Sequence, residues 1–184
     1  MIIAVDGPTA SGKGTISKAL AAHFALPFLD TGLLYRAVGR QVQLHKTNPD
    51  EPADALAGCA FPDSLLDDPV LRNEEIGGLA SRVSTHPEVR AALNKRQVDF
   101  ANQPGGALLD GRDIGTVIAP HADVKLFVTA PAEVRAQLPD LVVQADLILG
   151  GGDQWQAAMA MQAVPATNFI YADKTGTIAY WYNA

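Results

Sequence analysis

The sequence predicts a three-layer α/β fold: a parallel sheet with helices on both faces. Three observations lead there. Ile2-Ile3-Ala4-Val5 is a continuous apolar run rich in β-branched residues, the signature of a central strand buried on both sides. Two further apolar runs, Ala107-Leu108-Leu109 and Val124 to Thr129, repeat that signature later in the chain. Between the runs lie segments with apolar residues at helical spacing, so strand, helix and strand alternate.

The elements follow in order. After a glycine-rich turn, Ile16, Ala19, Leu20 and Phe24 mark an amphipathic helix from about Lys13. Pro27-Phe28-Leu29-Asp30 is a short strand, and Thr31 is the expected cap of a helix whose inner face carries Leu34, Val38 and Val42. From Asn48 to Leu71 proline and aspartate break the pattern, giving loop and a short helix. Helices are expected from about Asn73 to Ser84 and from Pro87 to Phe100, with Pro87 suited to a first helical turn. Gly105-Gly106 ends that pattern, and Pro131 begins the helix after the third strand.

Composition bounds the function. The 184 residues suffice for one domain with a small appendage. A net charge of -6 argues against nucleic-acid or anionic-membrane partners, but not against a local site for a small phosphate. One cysteine, Cys59, makes no internal disulfide, and this fits a reducing, cytoplasmic setting. The run Ile2 to Val5 is too short for a signal peptide, and no stretch is long and apolar enough to cross a membrane. His23, His45, His86 and His121 show no metal or triad spacing.

The composition shifts near residue 136. Residues 1–136 hold 13 of the 14 lysines and arginines, and the remainder holds only Lys174. Both tryptophans and three of the four tyrosines lie in that remainder. We therefore divide the chain into a core, 1–136, and a tail, 137–184. The tail is expected to supply a last strand from Ala145 to Leu149, a helix capped by Asp153 (together 145–163), and a β-hairpin over 168–183 turning at Asp173 to Gly176. Ile178, Tyr180 and Tyr182 would face one side of that hairpin, and Ala179 and Trp181 the other. A ribbon apolar on both faces needs a partner, either the domain itself or a second copy.

The strongest motif is Gly7-Pro8-Thr9-Ala10-Ser11-Gly12-Lys13-Gly14-Thr15, set between a buried strand and an amphipathic helix. Glycines let the loop curl so that backbone N–H groups point inward. The helix N-terminus adds partial positive charge, and Lys13 places an ammonium on the β- and γ-phosphates of a nucleotide. Gly14 stands where the metal-binding hydroxyl of many such loops would be, with Thr15 after it. A direct metal ligand at that position of the loop is therefore not expected.

Two more clusters face the same end of a parallel sheet. Arg36, after Asp30-Thr31-Gly32-Leu33-Leu34-Tyr35, is placed to hold an acceptor phosphate bidentately. Leu108-Leu109-Asp110 is an apolar strand ending in a carboxylate, as at positions that hold Mg²⁺ or its water, and Arg112 and Asp113 follow at the strand end where ligands bind in open α/β sheets.

With these residues in place, residues 1–136 resemble the bacterial cytidylate kinase family. The matching pieces are Asp6 through Thr15, Leu29 to Gly32 with Tyr35-Arg36, Ala80-Ser81-Arg82-Val83, Val89 to Leu93 with Arg96-Gln97, and Asp110 to Asp113 with Gly115-Thr116-Val117. The resemblance implies a nucleoside-monophosphate-kinase-like fold and Mg²⁺-dependent transfer of the ATP γ-phosphoryl group to CMP or dCMP. It also implies ATP held by residues 7–15, an acceptor site of Thr31, Tyr35, Arg36, Arg112 and Asp113, catalytic roles for Lys13, Arg112 and Asp110, and metal contacts through Thr15 and Asp110.

The family's pattern continues after Arg135 into an arginine- and aspartate-rich lid, and no such cluster follows here. The expected consequence is weakened turnover. Residues 153–184 are instead similar to an internal piece of penicillin- and homoserine-lactone-acylase-type enzymes, implying a hybrid chain joined between about 136 and 152, and no acylase role comes with it. Two alternatives stay open at this point. One is a nucleotide-binding fold without turnover. The other is a different P-loop transferase, such as a tRNA prenyltransferase, against which Gly14 and Asp110 to Asp113 speak.

Overall fold

The computed structural model describes residues 1–8 and 11–128, together with the backbones of strands at 143–148, 167–172 and 178–181. The expected ATP contacts Thr9 and Ala10, the helix after Pro131, the helix near Trp155 and the hairpin turn lie outside the described residues. The described chain forms two compact units: Met1–Leu29 with Phe100–Ala184, and Asp30–Asp99.

In the first unit β1 (Ile2–Asp6) sits centrally, because its apolar run has no polar face to give to water. It pairs in parallel with β3 (Ala107–Gly111) on one side and β4 (Val124–Val128) on the other. The sheet order is β2-β3-β1-β4-β5-β6-β7, with β2 at Phe28–Asp30, β5 at Val143–Ile148, β6 at Thr167–Ala172 and β7 at Ile178–Trp181. Helix α1 (Lys13–His23) covers one face. Its Ile16, Leu20 and Ala21 pack with Ile3, Val5, Leu108, Val124, Leu126 and Val128. Ala4 and Leu109, which point to the opposite face, are also fully buried, so both faces are covered.

Two details differ from the sequence reading. Ala19, expected on the inner stripe of α1, is exposed, and Ala21 takes the inner position. The sheet is parallel around β1, but β5 runs antiparallel to β4 and β6 parallel to β5, while β7 runs antiparallel to β6 as the two strands of the expected hairpin should. An apolar run marks a strand without fixing its direction, which the connection decides.

The second unit holds α2 (Thr31–His45), α3 (Pro52–Ala57), two 3₁₀ turns, α4 (Glu74–Val83) and α5 (Pro87–Ala101), whose last two residues belong to the first unit. Leu34, Val38 and Val42 form the buried stripe of α2, as their spacing predicts. Its cap is Asp30 rather than Thr31: the Asp30 carboxylate accepts the Gly32 N–H at 3.1 Å, while Thr31 is the first helical residue and is buried. Asn73 caps α4 by accepting from Ile76 N at 2.8 Å. No helix among the described residues is long and apolar enough to cross a membrane.

Candidate active site

The phosphate loop forms where β1 ends. A Cβ on Gly7 would meet the Val128 carbonyl oxygen at 2.0 Å, so the chain passes β4 only because glycine stands there. Gly12 turns the chain in the left-handed region (φ 81°) and precedes α1 without any side-chain cap. The N-terminal amides of α1 are therefore not occupied by a capping side chain, and they open onto a depression of about 290 Å³ lined by Ser11, Gly12, Lys13, Gly14, Thr15 and Lys18. Ser11 Oγ is buried with no hydrogen-bond partner among the described residues.

Register explains which side chains meet. Val5 pairs with Asp110 across β1 and β3 and with Leu126 across β1 and β4. Asp110 therefore points to the face that α1 covers. There its Oδ1 lies 3.7 Å from Nζ of Lys13, and Asp110 is almost fully buried. Lys13 also donates to the Pro8 carbonyl at 3.4 Å, folding back over its own loop. A Cβ on Gly14 would sit 3.6 Å from Asp110 Oδ2, so the carboxylate lies close under the start of α1. Thr15 is exposed at the rim.

Arg112 is exposed and Asp113 half-buried just beyond β3, at the C-terminal end of the sheet's central strands. In the other unit Thr31, Tyr35 and Arg36 share the first turns of α2. Arg36 is anchored there: its Nη1 donates to the carbonyls of Leu71 at 2.7 Å and Asn73 at 3.0 Å. A side chain on Gly77 would press on the same guanidinium at 3.1 Å. Asp30 pairs with Arg72 at 4.0 Å.

The sequence reading includes Asp6 in the matching segment Asp6 through Thr15 but gives it no role. Its two carboxylate oxygens accept the N–H groups of Ile114 and Gly115, each at 2.8 Å. Those amides open a single π-helical turn, Ile114–Ile118, directly after Arg112-Asp113. The sequence signals were that an aspartate ends an otherwise apolar central strand and opens the matching segment Asp6 through Thr15.

A family model described as Cytidylate kinase matches residues 3–140. The chain belongs to the cytidylate kinase family. It is 56% identical over 137 residues to a cytidylate kinase of Xanthobacter autotrophicus, covering 74% of this chain and 66% of that one. It is 54% identical over 155 residues to a cytidylate kinase of Cereibacter sphaeroides, covering 84% and 70% respectively. This chain thus spans about two thirds of the length of these cytidylate kinases. Among solved structures it is similar to TT1252 from Thermus thermophilus at 20% identity, over 96% of this chain and 90% of that one, with a TM-score of 0.36.

Proposed function

We propose that this cytidylate kinase family member transfers the γ-phosphoryl group of ATP to CMP or dCMP. The observation that carries the reading is the meeting of Lys13 and Asp110 under an uncapped helix N-terminus, beside the open glycine loop. Residues 7–15, Thr9 and Ala10 among them, would wrap the triphosphate, with backbone N–H groups and the orphaned Ser11 hydroxyl donating to its oxygens. Lys13 would exchange its contact with the Pro8 carbonyl for the β- and γ-phosphates.

The donor set suits Mg²⁺ bound mainly by phosphate and water. Among the described residues no three His, Cys, Asp or Glu side chains gather into a metal cage, while Asp110 offers one buried carboxylate and Thr15 one hydroxyl at the rim. When bound, the ion would neutralise charge on the transferring group. On the acceptor side Thr31, Tyr35, Arg36, Arg112 and Asp113 would bind the monophosphate. Arg36 keeps N–H donors beyond the one nitrogen that serves Leu71 and Asn73. Lys13 and Arg112 would hold positive charge on the moving phosphoryl group, so catalysis rests on positioning and electrostatics.

A second reading, binding with little turnover, is favoured by one feature. Residues 137–184 contain no arginine, so that stretch contributes no guanidinium to close over phosphates. We read 137–184 as a heterologous tail whose strands extend the sheet, and its last hairpin as a surface for self-association. Formation of CDP from CMP and Mg-ATP, run beside Lys13→Ala, tests the function. CDP that vanishes in the variant supports phosphoryl transfer; no CDP above the variant leaves a nucleotide-binding fold.

A further inference from the structure

We propose that Asp6 is a positioning residue that fixes the loop carrying Arg112 and Asp113. The inference rests on the acceptor role proposed for that loop. Side chains alternate along a strand, so Val5 and Asp6 serve opposite faces of β1. Val5 packs against α1 in the core. Asp6, in register with Gly111 and Phe127, turns to the other face, where Lys125 and Phe127 of β4 also point. There it meets the chain again 108 and 109 residues later, accepting from the amides of Ile114 and Gly115 at 2.8 Å each.

The geometry has three parts. First, the two bonds form a fork: one carboxylate spans two successive amides, which fixes the direction of the backbone as well as its position. Second, the amides belong to the start of a π-helical turn, a rare conformation that needs support from outside its own hydrogen bonds. Third, the fork has been given room. A Cβ on Gly115 would lie 3.3 Å from Asp6 Oδ2 and 3.2 Å from Cδ of Lys125, tighter than ordinary contact. Asp6 is also the residue immediately before Gly7. One carboxylate therefore ties the entry of the phosphate loop to the segment that follows Arg112-Asp113. It touches no reacting atom; it sets where the acceptor-side residues stand relative to the donor loop.

Two variants test this. Asp6→Asn keeps the shape but offers one accepting oxygen, and turns an amide N–H group toward one of its two former partners. Gly115→Ala crowds the same fork from the opposite side. Each is first melted to confirm folding, and amide exchange at Ile114 and Gly115 is then followed by NMR. Initial rates give KM for CMP and for ATP separately. In both folded variants, exchange at the two amides should accelerate, KM for CMP should rise and kcat fall by about tenfold, as loss of one charge-assisted hydrogen bond implies. KM for ATP should stay within about twofold, because the triphosphate is held from the α1 side of the sheet. Unchanged exchange overturns the proposal, as does faster exchange with CMP kinetics unaltered or with both KM values raised alike. If the parent protein forms no CDP, the kinase reading fails separately. CMP binding by calorimetry then replaces the rates, and a variant that binds CMP as the parent does overturns the positioning role.

Discussion

Lys13 Nζ lies 3.7 Å from Asp110 Oδ1, joining the first residue of α1 to the C-terminal end of β3. The lysine is partly accessible and the carboxylate is buried, so the cation is the mobile partner and the anion the fixed one. A carboxylate so placed would act on a metal ion through water as well as on the lysine. Asp110→Asn preserves the shape and removes the charge. It should reduce Mg²⁺-dependent turnover by about 10–100-fold, the usual effect of losing a group that orients a metal's shell. Titrating the rate with Mg²⁺ checks this, and an unchanged midpoint and maximum would count against a metal role for Asp110.

Gly7→Ala should destabilise the fold without touching any charged group. The new methyl would meet the Val128 carbonyl oxygen at 2.0 Å, so β1 and β4 must move apart. Overpacking of this kind costs about 1–3 kcal/mol, which lowers Tm by roughly 2–4 °C per kcal/mol in a chain of this length. A melt identical to the parent's would mean the loop enters by another path.

Arg36 and Arg112 should behave differently when truncated. Arg36 braces two carbonyls inside its own unit, so Arg36→Ala should lose about 1–3 kcal/mol of stability as well as CMP affinity. Arg112 is exposed at the end of β3, and Arg112→Ala should weaken CMP binding while ATP binding is spared. Calorimetric titration of each nucleotide, with a melt of each variant, separates the two. Equal loss of both nucleotides in Arg112→Ala would indicate misfolding instead.

Asp50 supplies a pH test. The hydrogen bond from Arg82 holds its carboxyl below the ordinary value of 3.8, and the same bond raises the Arg82 guanidinium. A depressed carboxyl stabilises the fold above its unfolded pKa, and that contribution disappears as pH falls through the lowered folded value. The parent should therefore melt slightly above Asp50→Asn at pH 6, and the gap should close as the pH is taken below 3.8. Both side chains are exposed, so the gap should also shrink with added salt. A gap that widens in acid would contradict the assignment.

The phosphate loop and the strands around it were legible because each is a local pattern: an apolar run, a glycine spacing, a helical stripe. Asp110 was legible for the same reason, as a carboxylate ending such a run. Asp6 ends one too, but its partners are backbone amides 108 and 109 positions away, and backbone amides leave no mark on a sequence. The π-helical turn was hidden likewise, because five residues with Gly115 among them are too few to show a helical stripe. Arg36 was found, but its bonds to Leu71 and Asn73 were not, since any residue type supplies a carbonyl. The capping of α2 fell to Asp30 rather than Thr31 because both types cap well and only the path of the chain chooses between them.

The division of the chain also bears on its birth at the ribosome. Asp30–Asp99 is one continuous stretch, whereas the sheet-bearing unit is made from the two stretches that flank it. The translated chain therefore releases Ile2-Ile3-Ala4-Val5 first and the strands that flank it, β3 and β4, about a hundred residues later. At ordinary elongation rates that interval is roughly 5–20 s. Throughout it, β1 lacks both strands that flank it in the finished sheet. The intervening stretch can fold as it emerges, while β1 waits for the two strands that complete it.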